Sequence, residues 1–257
     1  MIVLVQFVLR LSFGLALAML VTPSQLVTSG FFRVHLWVVM GLATLAALAA
    51  LFTQGDATTW YANGVLMAAL LTAAASYVGA VVWLYEQSLT GKIFLGVVFA
   101  AALAGALLDV SWEKYTTATA QALAAADVLT GGLLLGGTMA AMLLGHWYLN
   151  TPTMKLAPLQ RLVILMGVAV ALRAVVCGSG LALEAMQDSL SVSTWLFVAM
   201  RWLSGIVGTL LLVIMTWQTL KIPNTQSATG ILYVGVICTF LGELTSQLLS
   251  ASSTYPL

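Results

Sequence analysis

A twelve-residue phrase occurs twice in this chain. Residues 87–98 read QSLTGKIFLGVV and residues 226–237 read QSATGILYVGVI. Set on each other without a gap, Gln87, Ser88, Thr90, Gly91, Gly96 and Val97 fall on Gln226, Ser227, Thr229, Gly230, Gly235 and Val236. Phe94 falls on Tyr233, and each copy opens an apolar stretch from a short polar loop. Such a phrase predicts a protein made by doubling one module. It restricts the architecture strongly and names no chemistry.

The module belongs in a membrane. Of 257 residues, 61% are hydrophobic and 7% are charged, where soluble domains carry roughly 25% charged residues. The apolar runs are continuous, not alternating as in a membrane β-barrel, so an all-α polytopic protein is expected. Eight spans are expected, at 2–22, 31–52, 61–85, 93–110, 128–149, 160–184, 194–220 and 230–250. Thr22-Pro23-Ser24, Gln54-Gly55-Asp56, Asn150-Thr151-Pro152 and Pro223-Asn224 mark breaks between them. The N-terminus lacks a basic region before its apolar run and reads as a first helix, not a cleaved signal.

The phrase precedes spans four and eight, so the unit is four helices. An even count gives both copies one orientation, a tandem 4+4 parallel repeat about an axis along the membrane normal. The expected division is a first unit at 1–110, a connecting segment at 111–127 and a second unit at 128–257. Weaker echoes agree: Ala18-Met19-Leu20 with Ala141-Met142-Leu143, Thr22-Pro23-Ser24 with Thr151-Pro152-Thr153, and Arg33 with Arg161. The second copy has six extra residues around Gly145-His146-Trp147-Tyr148-Leu149-Asn150. Such a break in symmetry is a place to look for function.

Loop charges sort by side. Arg33, Lys92, Lys155, Arg161 and Lys221, against Glu86, follow the odd-numbered spans. Asp56, Glu113, Asp127, Glu184 and Asp188, against Lys114, follow the even-numbered ones. Lys and Arg mark the cytoplasmic side. Both termini are therefore expected outside, in a bacterial inner membrane. A net charge of +1 gives nucleic acid no electrostatic footprint.

Arg10, Arg173, Arg201 and Glu243 fall within spans one, six, seven and eight, somewhat outward of the midplane. Charges facing lipid are costly, so these should face inward and find one another. They form either an ion-pair network that joins helices or a polar pocket for an anionic or carbonyl ligand. Gln247 lies one turn from Glu243. Three arginines leave positive charge over, which Asp109 and Glu184 could offset.

The two histidines, His35 and His146, lie at similar depth in the cytoplasmic half. They are axial-ligand candidates for the iron of a haem b, contacts for a quinone or a lipid head group, or interfacial residues beside Trp37 and Trp147. Cys177 and Cys238 read as buried small hydrophobes. Gly131, Gly132, Gly136, Gly137, Gly145, Gly205 and Gly208 read as sites of close helix approach. Tryptophans 37, 60, 83, 112, 147, 195, 202 and 217 mostly read as belt anchors at span ends. The segment 224–230 reads as the cap of span eight, with Thr or Ser as the N-cap. No nucleotide-binding, metalloprotease or serine-hydrolase motif is present.

Eight helices in two four-helix units, outward termini, short loops and an Arg/Glu cluster in the outer half resemble the quinol-interacting membrane anchors of respiratory oxidoreductases. The polysulfide-reductase and dimethyl-sulfoxide-reductase anchors are the type meant. The resemblance is one of topology. It implies a quinone site, an iron–sulfur partner subunit on the outer face, and a subunit that is not catalytic alone. The expected function is therefore electron and proton exchange with quinone, at the charged cluster or at the histidines, or through haem b if the histidines face each other. A small transporter with its site between the repeats, and a structural or assembly subunit, are the alternatives.

Overall fold

In membrane hydrocarbon every backbone amide must be paired within its own segment, and a continuous apolar run satisfies this as a helix. The computed structural model describes residues 2–53, 60–151, 153–187, 191–222 and 224–257. Among these it is all-α, with eight segments long and apolar enough to cross a membrane. They are α1 (Ile2–Val21), α2 (Ser29–Thr53), α3 (Trp60–Leu84), α4 (Ser88–Leu108), α5 (Ala118–Asn150), α6 (Ala157–Gln187), a seventh in three parts, and α9 (Thr225–Ser252). The seventh runs as α7 (Val192–Arg201), a π-helical stretch (Trp202–Gly208) and α8 (Thr209–Lys221). The chain is an integral membrane protein. Gln54-Gly55-Asp56, Pro152, Asp188, Pro223 and the side chain of Trp60 lie outside the described residues.

One boundary differs from expectation in a way that matters. The segment 111–127 was expected to connect the units. Instead a short 3-10 turn (Trp112–Lys114) is followed by α5 from Ala118, whose N-cap Thr117 accepts from the Ala120 amide at 3.2 Å. Six of the nine residues 118–126 are alanine, the strongest helix former. Asp127 therefore lies inside the bundle and not in a loop. At α9 the cap is Asn224, which accepts from the Ser227 amide at 2.9 Å. It is neither Thr nor Ser. Gln87, at the corresponding end of α4, makes no side-chain cap.

The helices form two rings. In the first, α1 packs on α2, α2 on α3, α3 on α4 and α4 on α1. In the second, α5 packs on α6, α6 on α8, α8 on α9 and α9 on α5. The seam between the rings is α1 against α5, with α1 also touching α9. The seam is close because of glycine. A Cβ on Gly14 would lie 1.8 Å from the Gly132 carbonyl oxygen, and one on Gly136 would lie 1.9 Å from the Gly14 carbonyl carbon. These backbones are in contact, the geometry small residues permit in membranes.

Candidate functional site

We call the face where α1 begins and α9 ends the terminal face. Arg10, Asp127, Arg201 and Glu243 each stand eight or nine residues inside a helix end on that face. At 1.5 Å per residue this is a common depth of about 13 Å. Three of them, Arg10, Asp127 and Glu243, are joined through Arg173 into one ion-pair belt.

Asp127 is its centre. Its Oδ2 takes Arg10 Nη1 at 2.7 Å and its Oδ1 takes Arg173 Nη1 at 2.5 Å. Arg173 is fully buried and clamps Glu243 with two bonds, Nε to Oε1 at 2.7 Å and Nη2 to Oε2 at 2.9 Å. Arg173 Nη2 also reaches Ser246 Oγ at 3.0 Å, and Arg10 Nε donates to Gln6 Oε1 at 3.0 Å. The expected pairing of Glu243 with an arginine is thus present, and a loop acid in the sequence reading supplies the second counter-charge. Gly131 makes the room: a Cβ there would lie 2.7 Å from Glu243 Oε2.

Arg201 is separate. It is 1% exposed and donates to Cys177 Sγ, while its Nε and Nη1 have no partner. It stands where the π-helical stretch begins, and that stretch holds Gly205 against Gly242 of α9. Cys177 is buried as expected, and Cys238 is half-buried.

Above the belt, toward the terminal face, lies a cavity of about 280 Å³. Arg10 and Asp127 are at its floor, and exposed Ser111 and Ala251 are at its mouth. Its walls come from both rings: Val3 and Gln6 of α1, the 109–115 connection, and Gln247 and Ser250 of α9. Lys114 donates to the Ser250 carbonyl, tying the connection to α9. Burial lowers the Lys114 ammonium below its ordinary range, and Glu184 partly offsets this. Burial, with Asp127 adding to it, raises Tyr115.

Two cavity groups are unsatisfied. Asp109 Oδ2 is buried without a hydrogen-bond partner, and so are Nε2 and Oε1 of Gln247. Burial pushes the Asp109 carboxyl up to about 7, against the pull of Arg10. The sequence offered Asp109 only as a neutralising charge.

The histidines do not share a space. His35 is buried, holds the Phe31 carbonyl at 2.5 Å through Nδ1, and packs 6.2 Å from Trp147 between ring centres. Trp147 reaches across to Thr28 Oγ1 at 2.9 Å. Successive helix residues point about 100° apart at 3.6 residues per turn. His146 therefore turns from α2 toward α9, where Tyr233 meets its Nδ1 at 3.2 Å. His146 is also exposed on the outside of the bundle. His35 and His146 thus have different partners, Phe31 and Trp147 for one and Tyr233 for the other. The extra residues of the second copy are likewise engaged in packing: Tyr148 donates to the Lys155 carbonyl and Gly145 admits Thr229.

No protein-family model matches the chain, and neither a curated protein nor a solved structure matches it.

Proposed function

We propose that the chain is the membrane subunit of a redox complex and that the cavity between its rings holds a quinone head group. One observation carries the reading. Asp109, just past the end of α4, lines the cavity with Arg10 and Lys114, its Oδ2 is buried without a partner, and burial pushes its carboxyl up to about 7. The volume is near the lower end of small-molecule pockets, roughly 300–1,000 Å³, and suits a head group. Exposed Leu4 and Leu248 flank the cavity residues Val3 and Gln247 and offer an apolar path for an isoprenoid tail.

A bound quinone would supply two-electron, two-proton chemistry, exchanging electrons with an iron–sulfur partner on the terminal face. The residues here bind and pass protons. Arg10 and Lys114 line the cavity and would set positive charge beside a bound carbonyl oxygen. Asp109 gives a proton below about pH 7 and takes one above it. The Arg10–Asp127–Arg173–Glu243 belt fixes the floor. On this reading the terminal face is the outer side of a bacterial inner membrane, as the loop charges suggest. Haem b has no support from the histidine geometry. A carrier remains the second reading, favoured by the cavity's place on the seam, which the Arg10–Asp127 bridge crosses.

Quenching of protein fluorescence by a short-chain benzoquinone tests the proposal, since Trp112 borders this region with its indole on the Leu107 carbonyl at 2.9 Å. The expected result is saturable quenching whose affinity changes between pH 6 and 8. Arg10, Lys114 and Asp127 also face Asp109 in the cavity. Asp109→Asn should therefore keep affinity within about threefold at pH 6 and lose the pH dependence. Absence of saturable quenching in the unaltered protein would contradict the quinone reading.

A further inference from the structure

Gln247 is 7% exposed, lines the cavity, and leaves both ends of its amide without a partner. Its neighbours on α9 are committed: Glu243 to Arg173, and Ser246 to Arg173 and the Leu257 carbonyl. A buried amide left without partners is destabilising. Packing alone would favour an apolar residue, and in the register of the repeated phrase the first copy has Leu108 here. The amide is also the uncharged side chain that carries a donor and an acceptor side by side.

We infer that Gln247 is the specificity-determining residue of the cavity and contacts the ligand in both redox forms. Nε2 donates to the carbonyl oxygen of the quinone, and Oε1 accepts from the hydroxyl of the quinol. The inference rests on the quinone reading above and adds to it the residue that reads the ligand's oxygen.

The test is equilibrium binding of tetramethylbenzoquinone and of its quinol to the full chain in detergent, with infrared spectra of the carbonyl-labelled quinone. Gln247→Met keeps the length and removes both hydrogen-bonding atoms. It should weaken both forms about tenfold, the factor for one hydrogen bond of about 1.4 kcal/mol. The bound carbonyl band should move back toward its free position. If Gln247→Met does not fold, Gln247→Asn carries the test, because its amide is withdrawn by one methylene and should weaken both forms similarly. Binding by the unaltered protein, with variants within twofold of it and the carbonyl band unmoved, would overturn the inference. No binding by the unaltered protein would instead overturn the quinone reading itself.

Discussion

In the first ring, α2 and α3 lie together along their lengths, and Trp83 is buried flat against Phe32 at 4.2 Å. In the second ring, α7 rests on α9, and α6 meets its partner chiefly through α8. The space near the terminal face is taken by charges and by the returning tail, where Glu184 accepts from the Thr254 and Tyr255 amides at 3.0 and 2.8 Å. The two rings share an order of neighbours and differ in what fills them. In the register of the phrase, Glu243 falls on Ala104, which is exposed on the outside of the first ring. Charge in this fold sits where helices enclose it on several sides. Asp127 sits on α5, the most enclosed span, with α1, α6 and α9 around it. The first ring contributes Arg10 alone to the belt, across the seam, and the second ring holds Asp127, Arg173 and Glu243.

Breaking the belt should have the largest effect. Glu243→Gln leaves Arg173 with one carboxylate, and removing one partner of a buried pair costs about 3–5 kcal/mol. Thermal unfolding in detergent should report that loss. A shift near zero would mean the belt is not a unit. The seam comes next. Gly136→Ala drives a methyl into the backbone of α1, and the cost should reach the upper end of about 1–3 kcal/mol for overpacking. Gly41→Ala, with nothing within 4 Å of its Cβ, should be harmless in the same assay.

The repeated phrase offers a sharper contrast. Gly91 receives the Trp83 ring, and a Cβ would lie 2.5 Å from it. The matching Gly230 faces open space. Gly91→Ala should therefore lose about 1–3 kcal/mol. Gly230→Ala should gain about 0.5–1 kcal/mol from helix propensity. Equal effects would say that the phrase plays one part in both copies.

The smallest effect is a pH slope at Asp109. Its folded carboxyl titrates at about 7, above an ordinary value of about 3.9. Its contribution to stability is therefore complete below about pH 4 and is lost as pH rises through 7. Melting temperature measured from pH 4 to 8 should fall in the unaltered protein relative to Asp109→Asn. Partial solvent access keeps this difference modest.

Much of this was legible in the residues. Eight spans follow from continuous apolar runs, and Arg10, Arg173 and Glu243 draw attention because charge is rare at that depth. Asp127 was not legible as a member of the belt. Hydropathy alone places it in a loop, and only the helix-forming strength of Ala118–Ala126 hints that α5 starts early. The separation of His35 from His146 depends on helix rotation at the tight seam, which no local pattern encodes. The π-helical stretch after Arg201 is equally silent, since Gly205 and Gly208 read simply as packing residues. Asp109 and Gln247 acquire their meaning from a cavity built by four separate segments.

The proposed quinone site lies on the seam between the rings. A photoreactive benzoquinone, cross-linked to the protein in detergent and mapped by peptide mass spectrometry, tests it most directly. The account predicts labels on the first turns of α1, on the 109–115 connection and on the last turns of α9 together, suppressed by excess unlabelled quinone. Suppressible labelling around His35 and His146 instead, at the opposite face, would contradict it.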